Sequence, residues 1–154
     1  MENMEFSIEK AKKYTPELLT AVNMLLVQMN PDSAVMTEDS LNSLLAQSCY
    51  ILFIAREKIT GRIVGMVSLV TFSIPYGKKS RLEDLVVDES FRGKGIAKTL
   101  TKRLIEQAKQ ENVLYIDLTS RPMREGANQF YLKFGFFKRD TNMYRLLICK
   151  EHES

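Results

Sequence analysis

The stretch from Arg81 to Leu104 limits most sharply what this chain can become. It runs Arg81-Leu82-Glu83-Asp84-Leu85-Val86-Val87-Asp88, then Glu89-Ser90-Phe91-Arg92-Gly93-Lys94-Gly95, then Ile96-Ala97-Lys98-Thr99-Leu100, and continues as an amphipathic helix. An apolar strand, a glycine-bearing turn and a helix start follow one another directly. The first N–H groups of such a helix have no intrahelical acceptor and lie at the positive end of its dipole. That geometry binds anions, phosphate above all. Gly93 and Gly95 can take positive φ, and without a Cβ they let a phosphate approach the backbone closely. Arg92, Lys94 and Lys98 surround the turn with positive charge.

The flanking sequence restricts the alternatives. Gly93-Lys94-Gly95 partly mimics the Gly-x-Gly-x-x-Gly turn of dinucleotide folds, and Asp117 falls near the expected acid position. The third glycine, however, is Lys98, and the repeated βα units of a doubly wound sheet are absent. A Walker-type loop fails because no Gly-Lys-Ser/Thr follows at its spacing. A purely structural strand-to-helix connection stays open, though the cations argue against it.

The remaining elements follow from pattern. Met4 to Lys10 reads as a strand. Thr15-Pro16 starts a helix, with Thr as N-cap and Pro at the first helical position. Leu18, Leu19, Val22, Leu25, Leu26 and Met29 form its apolar stripe, and Asn30-Pro31 stops it. Thr37 caps a second helix with Glu38 and Asp39 in its first turn. The segment 30–36 between them reads as a loop. Tyr50 to Arg56 and Arg62 to Phe72 make an antiparallel hairpin, and Ser73 to Lys79 is another turn. Ser80 to Val87 is the next strand, interrupted by Glu83 and Asp84 side by side, a pair that a bulge or an opening cleft accommodates. The helix from Gly95 to Glu111 buries Ile96, Ala97, Leu100, Leu104, Ile105 and Ala108. Val113 to Thr119 follows as a strand parallel to the one before it, in a right-handed βαβ unit. Arg124 to Phe134 is a short helix closed by Gly135. Phe136 to Lys138 and Met143 to Cys149 are expected to close the fold as a hairpin, before the polar tail Lys150 to Ser154. The order is β-α-α-β-β-β-α-β-α-β-β, a mixed α/β (α+β) sheet, mostly antiparallel, with one parallel βαβ unit and flanking helices.

At 154 residues the chain has the size of one domain, and 45% apolar composition suits a packed core. No apolar run reaches the ~20 residues of a membrane span, and the acidic N-terminus lacks a signal peptide's pattern. Cys49 and Cys149 sit in apolar contexts and read as two buried free thiols in a reducing cytoplasm rather than a disulfide. The net charge of +3 is too small to imply nucleic acid. The only histidine is His152 in the tail, so neither a metal set nor a Ser–His or Cys–His nucleophile is in prospect.

Arg92-Gly93-Lys94-Gly95-Ile96-Ala97 resembles the Arg/Gln-x-x-Gly-x-Gly/Ala signature of the GNAT superfamily of N-acetyltransferases. A second block, Ala127-Asn128-Gln129-Phe130-Tyr131-Leu132-Lys133-Phe134-Gly135-Phe136, is similar to the family's Tyr-bearing helix ending in Gly-Phe. The resemblance covers roughly Ser80 to Leu147, and the first half fits in outline. It implies a single N-acetyltransferase domain over 1–154 that binds the pyrophosphate of acetyl-coenzyme A with Arg92, Gly93, Lys94 and Gly95, continuing through Ile96, Ala97 and Lys98. The strand Leu85, Val86 and Val87 would pair its backbone with the extended pantetheine arm, and Asn128 would hydrogen-bond the same arm. Tyr131 would protonate the departing thiolate and contact the cofactor. The resemblance also implies direct transfer, with no covalent acyl-enzyme, and is compatible with a homodimer.

An amine acceptor must lose a proton before it attacks. Glu83, with Asp84 as second choice, is the carboxylate placed to take it; partial burial raises a carboxylate's pKa, which suits a base. Lys133 and the loop residues Ser120, Arg121 and Arg124 are secondary candidates for cofactor or acceptor contact. The expected acceptor is a small-molecule amine rather than a protein amine. A non-catalytic acyl-coenzyme A sensor is the alternative: it would keep the glycine turn without needing Tyr131 or Glu83.

Overall fold

A computed structural model describes residues 5–149; Met4 of the expected first strand and the tail Lys150–Ser154 with His152 lie outside the described residues. The chain divides into two compact units, one ending at Leu118 and one beginning at Thr119.

The first unit is built on a sheet of five strands in the order β1-β2-β3-β4-β5. β1 (Phe6–Ala11), β2 (Tyr50–Glu57), β3 (Ile63–Ile74) and β4 (Gly77–Val87) pair antiparallel in sequence order. β5 (Ile116–Asp117) lies parallel to β4. The strand expected over 113–119 is thus only two residues long, paired as Ser80 with Ile116 and Arg81 with Asp117. A strand exists only where a neighbour accepts its hydrogen bonds, and β5 pairs with β4 only as far as Arg81, although β4 itself continues to Val87.

Helix α1 (Pro16–Met29) begins where Thr15 Oγ1 accepts from the Leu18 N–H at 3.0 Å. Helix α2 (Glu38–Leu45) has a reciprocal cap between Thr37 and Ser40. Leu18, Val22 and Leu25 of α1 and Leu41 of α2 are buried with Leu52, Ile54, Met66 and Val86 on one face of the sheet. Side chains alternate across a strand, so Gly65, next to Met66, faces the other side. There α3 (Ile96–Gln110) packs: a Cβ built on Gly65 would lie 3.2 Å from Ile96 Cγ2 and 3.3 Å from Leu100 Cδ1. Of the expected α3 stripe, Ile96, Leu100, Leu104 and Ala108 are buried, Ala97 and Ile105 are half-buried, and Thr101 is buried with them.

In the second unit α4 (Glu125–Lys133) ends at Phe134, and Gly135 takes φ +96°. The Phe130, Tyr131, Phe134 and Phe136 rings form a tilted and edge-to-face chain with centroids 5.0–5.8 Å apart. The expected closing hairpin is not formed among the described residues: 136–149 carry no regular element, and Tyr144, Leu146 and Ile148 are exposed. An isolated two-stranded hairpin is marginal in water. Its turn, Arg139-Asp140-Thr141-Asn142, also lacks the Asn-Gly pair that favours a tight one.

The cysteines depart from expectation in one respect. Both are free, but Cys49 and Cys149 are exposed rather than buried. Cys49 lies just ahead of β2.

Candidate active site

The glycine loop has the geometry its composition demands. Asp88, buried at the end of β4, caps a single 3-10 turn (Glu89–Phe91) by accepting from the Ser90 N–H at 2.9 Å. The chain then passes Arg92 to Gly95, with Gly93 at φ +78° and Gly95 at φ +81°. Nothing lies within 4 Å of a Cβ at either glycine, so backbone conformation and not crowding requires them there. Gly95 is the N-cap of α3 and supplies no side-chain cap, which leaves the N–H groups of Ile96, Ala97 and Lys98 for an outside acceptor. Arg92 Nε donates to the Val87 carbonyl at 3.3 Å, folding the guanidinium against the strand end. Lys94 Nζ stands 5.1 Å from the centre of the Phe91 ring.

The second feature is the edge of β4. Its parallel ladder with β5 stops after Arg81 and Asp117, so Leu82 to Val87 have no β5 neighbour. Val86 and Val87 are buried.

The third feature is a bulge in the same strand. Met66 pairs with Val86 and Ser68 with Glu83, so Val67 alone faces both Asp84 and Leu85. Asp84 takes φ +52°, a left-handed conformation that aspartate tolerates better than most side chains. This is the bulge that the adjacent carboxylates suggested. It treats them differently. Glu83 Oε1 accepts from Arg81 Nε at 2.7 Å. Asp84 has no such partner among the described residues. It is exposed overall, yet desolvation of its carboxyl, followed by the charge of Glu83, pushes it above its ordinary value.

Sequence reasoning missed a polar pair on the same face. Tyr50 Oη lies 2.6 Å from Ser68 Oγ. Desolvation first, opposed by the Ser68 hydrogen bond and reinforced by the charge of Asp84, pushes the Tyr50 phenol up to about 12. The only signal in the sequence is a lone serine within the apolar run Met66-Val67-Ser68-Leu69-Val70.

In the second unit, Tyr131 sits edge-on to Phe130 and Phe136. Burial raises its phenol above the ordinary value, and the positive charge of Arg124 opposes that. Asn128 Nδ2 donates to the carbonyls of Arg121 at 3.1 Å and Pro122 at 3.4 Å, so its amide nitrogen is already engaged in shaping the loop before α4. Ser120 Oγ is buried with no hydrogen-bond partner among the described residues. No group of three His, Cys, Asp or Glu that could hold a metal occurs among the described residues, and no described helix is long and apolar enough to cross a membrane.

The chain has relatives among known proteins. Residues 18–136 match the Acetyltransferase (GNAT) family. Glucosamine 6-phosphate N-acetyltransferase 1 of Oryza sativa subsp. japonica is 26% identical over 127 residues, covering 77% of this chain and 74% of that protein. Glucosamine 6-phosphate N-acetyltransferase of Trypanosoma brucei brucei is 36% identical over 87 residues, covering 54% of this chain and 57% of that protein. A solved structure of a predicted acetyltransferase with acetyl-CoA from Clostridium acetobutylicum superposes with a TM-score of 0.74 at 21% identity, covering 97% of this chain and 99% of that one. The mixed five-stranded sheet with its single parallel pair is the fold of these proteins. The chain belongs to the acetyltransferase (GNAT) family and is an acetyl-CoA-dependent N-acetyltransferase.

Proposed function

We propose that residues 1–154 act as one catalytic domain that acetylates the primary amine of a small molecule. The observation that carries this reading is the end of the β4–β5 ladder at Arg81 and Asp117, on the strand that runs directly into the uncapped start of α3. An extended pantetheine can add to the backbone of Leu85 to Val87 as a strand would. The pyrophosphate is then held by the loop Arg92 to Gly95 and the N–H groups of Ile96, Ala97 and Lys98.

Asp84 is the base of this proposal. Its raised proton affinity brings it closer to that of an acceptor amine, whereas Glu83 is held by Arg81. Asp84 takes a proton from the ammonium form of the acceptor, and the freed lone pair attacks the thioester carbonyl. Backbone N–H groups of the open β4 edge stabilise the oxyanion. When the carbon–sulfur bond breaks, the Tyr131 phenol gives its proton to the thiolate. A phenol is protonated near neutral pH, and burial raises its proton affinity further. The oxygen of the Asn128 amide is the group left to meet the pantetheine arm.

A small amine is favoured because the relatives include enzymes named for glucosamine 6-phosphate and for L-2,4-diaminobutyric acid. Two free, exposed cysteines suit a reducing cytoplasm, and a homodimer is compatible with the reading. The test is release of coenzyme A thiol from acetyl-CoA with a panel of amino sugars, amino acids, polyamines, aminoglycosides and lysine peptides. Turnover with a small amine supports the proposal, and turnover with peptides alone moves the acceptor class to proteins. Tight acetyl-CoA binding without any turnover favours a sensor.

A further inference from the structure

The 3-10 turn that leads into the glycine loop is held from inside and from outside. The Ser90 N–H donates to Asp88 Oδ1 at 2.9 Å and the Phe91 N–H to the Asp88 carbonyl at 2.8 Å, so both are satisfied within the turn. The Glu89 N–H is taken from elsewhere. It donates to Gln28 Oε1 of α1 at 3.0 Å, across sixty-one positions of sequence. Asp88 is itself fixed, with its N–H on the Val64 carbonyl at 2.8 Å and its carboxylate 3.6 Å from Arg62 Nη2.

Gln28 is anchored by the helix that carries it. It lies one residue before the end of α1 at Met29, and the Asn30 N–H closes the last turn on the Leu26 carbonyl at 2.8 Å. Leu25, in the same turn, is fully buried in the cluster on the α1 face of the sheet. The loop is continuous with α3 on the opposite face. The Gln28 bond therefore ties the loop to the helix layer that it does not belong to.

An array of backbone N–H groups that must be ordered at the moment of binding loses affinity by that cost. Gly93 and Gly95 make this loop costly to order, because glycine has the widest conformational freedom when nothing holds it. A fixed point directly ahead of them reduces that freedom before the ligand arrives.

We propose that Gln28 is a positioning residue for the diphosphate of acetyl-CoA: its hydrogen bond to the Glu89 N–H holds the turn, and with it Arg92 to Gly95, in the shape that receives the phosphates. This rests on the reading of that loop as the pyrophosphate site. The bond is made to the loop and not to the thioester, so Gln28 acts on donor affinity and not on the transfer step.

The experiment compares Gln28→Met, Gln28→Glu and Gly95→Ala with the wild-type full chain. Methionine matches glutamine in length and helix propensity but gives the Glu89 N–H no oxygen, whereas glutamate keeps one. Two acetyl donors are used with an amine that the wild type accepts: acetyl-CoA, and S-acetylpantetheine, which has the same thioester without the diphosphate. Thermal unfolding is followed alongside. Gln28→Met is expected to raise the KM for acetyl-CoA by about two- to tenfold, the effect of one hydrogen bond. The Kd of coenzyme A, by titration calorimetry, should rise by the same factor. Its kcat and its kcat/KM for S-acetylpantetheine should stay at the wild-type values. Gln28→Glu adds a charge that salt screens, so at high ionic strength it should stand nearer the wild type than Gln28→Met does. An unmoved KM for acetyl-CoA in Gln28→Met overturns the proposal. So does an equal loss with both donors, because a general loosening of the fold would not tell them apart. Gly95→Ala tests the loop itself. If it leaves the preference for acetyl-CoA over S-acetylpantetheine unchanged, the reading of the loop as the pyrophosphate site fails. If it lowers that preference and Gln28→Met does not, only the role of Gln28 fails.

Discussion

Arg81 Nε lies 2.7 Å from Glu83 Oε1, two residues along the same face of β4. Their side chains keep 30% and 40% of their surface exposed, so solvent screens the pair. Such pairs contribute ~0.2–1 kcal/mol. Arg81→Leu should therefore lower stability by no more than about 1 kcal/mol, read from the urea midpoint. The freed Glu83 charge disfavours ionisation of its neighbour, so the acidic limb of kcat/KM should also rise in pH.

Asp84→Asn separates stability from chemistry. The folded protein raises the Asp84 pKa, so the folded state binds this proton more readily than the unfolded chain. The carboxylate destabilises the fold fully above its folded pKa, and that penalty is relieved as pH falls toward the unfolded value. Asparagine removes the charge and tolerates positive φ as aspartate does. Asp84→Asn should unfold at the same or a higher temperature at pH 7, by calorimetry, while kcat/KM drops by ~10²–10⁴-fold. A stable variant with full activity would show that the base lies elsewhere.

Three glycines allow strain to be told from function. Gly61 (φ +74°) lies in the β2–β3 turn, while Gly93 and Gly95 have nearly the same φ in the loop before α3, and all three have open space where a Cβ would go. Alanine at each should cost a similar ~1–2 kcal/mol of stability. Titration calorimetry with acetyl-CoA should show weakened affinity for Gly93→Ala and Gly95→Ala and unchanged affinity for Gly61→Ala.

Tyr131→Phe leaves the ring chain with Phe130 and Phe136 in place and removes only the hydroxyl. Turnover should fall by ~10²-fold or more with the acetyl-CoA dissociation constant unchanged. Equal loss in kcat and in affinity would mean the hydroxyl serves binding rather than proton transfer.

Much of this was legible in the sequence because it is local. Thr15 and Thr37 both cap their helices, α3 and α4 begin and end within a residue of their expected limits, and Glu83-Asp84 marked the bulge. What was not legible depends on partners. The left-handed φ of Asp84 arises only when two residues of β4 must face Val67 alone. β5 shrank because strand length is decided by the neighbouring ladder, and the closing hairpin lacked a turn to hold it. Tyr50 and Ser68 are eighteen positions apart, and no spacing rule joins them. Glu83 and Asp84 stand side by side in the sequence, and the Arg81 contact that sets their surroundings apart is a side-chain geometry.

The shortened β4–β5 ladder makes the resting enzyme resemble a zip fastener stopped two teeth from its start. Any flat, extended chain of the right polarity can engage the remaining teeth, which makes peptide-like molecules natural competitors of acetyl-CoA. A strand edge without a neighbouring strand is also a seed for self-association. Storage with coenzyme A should thus preserve the protein in two ways, by mass action on the folded state and, in the proposed binding mode, by covering a strand edge of the sheet.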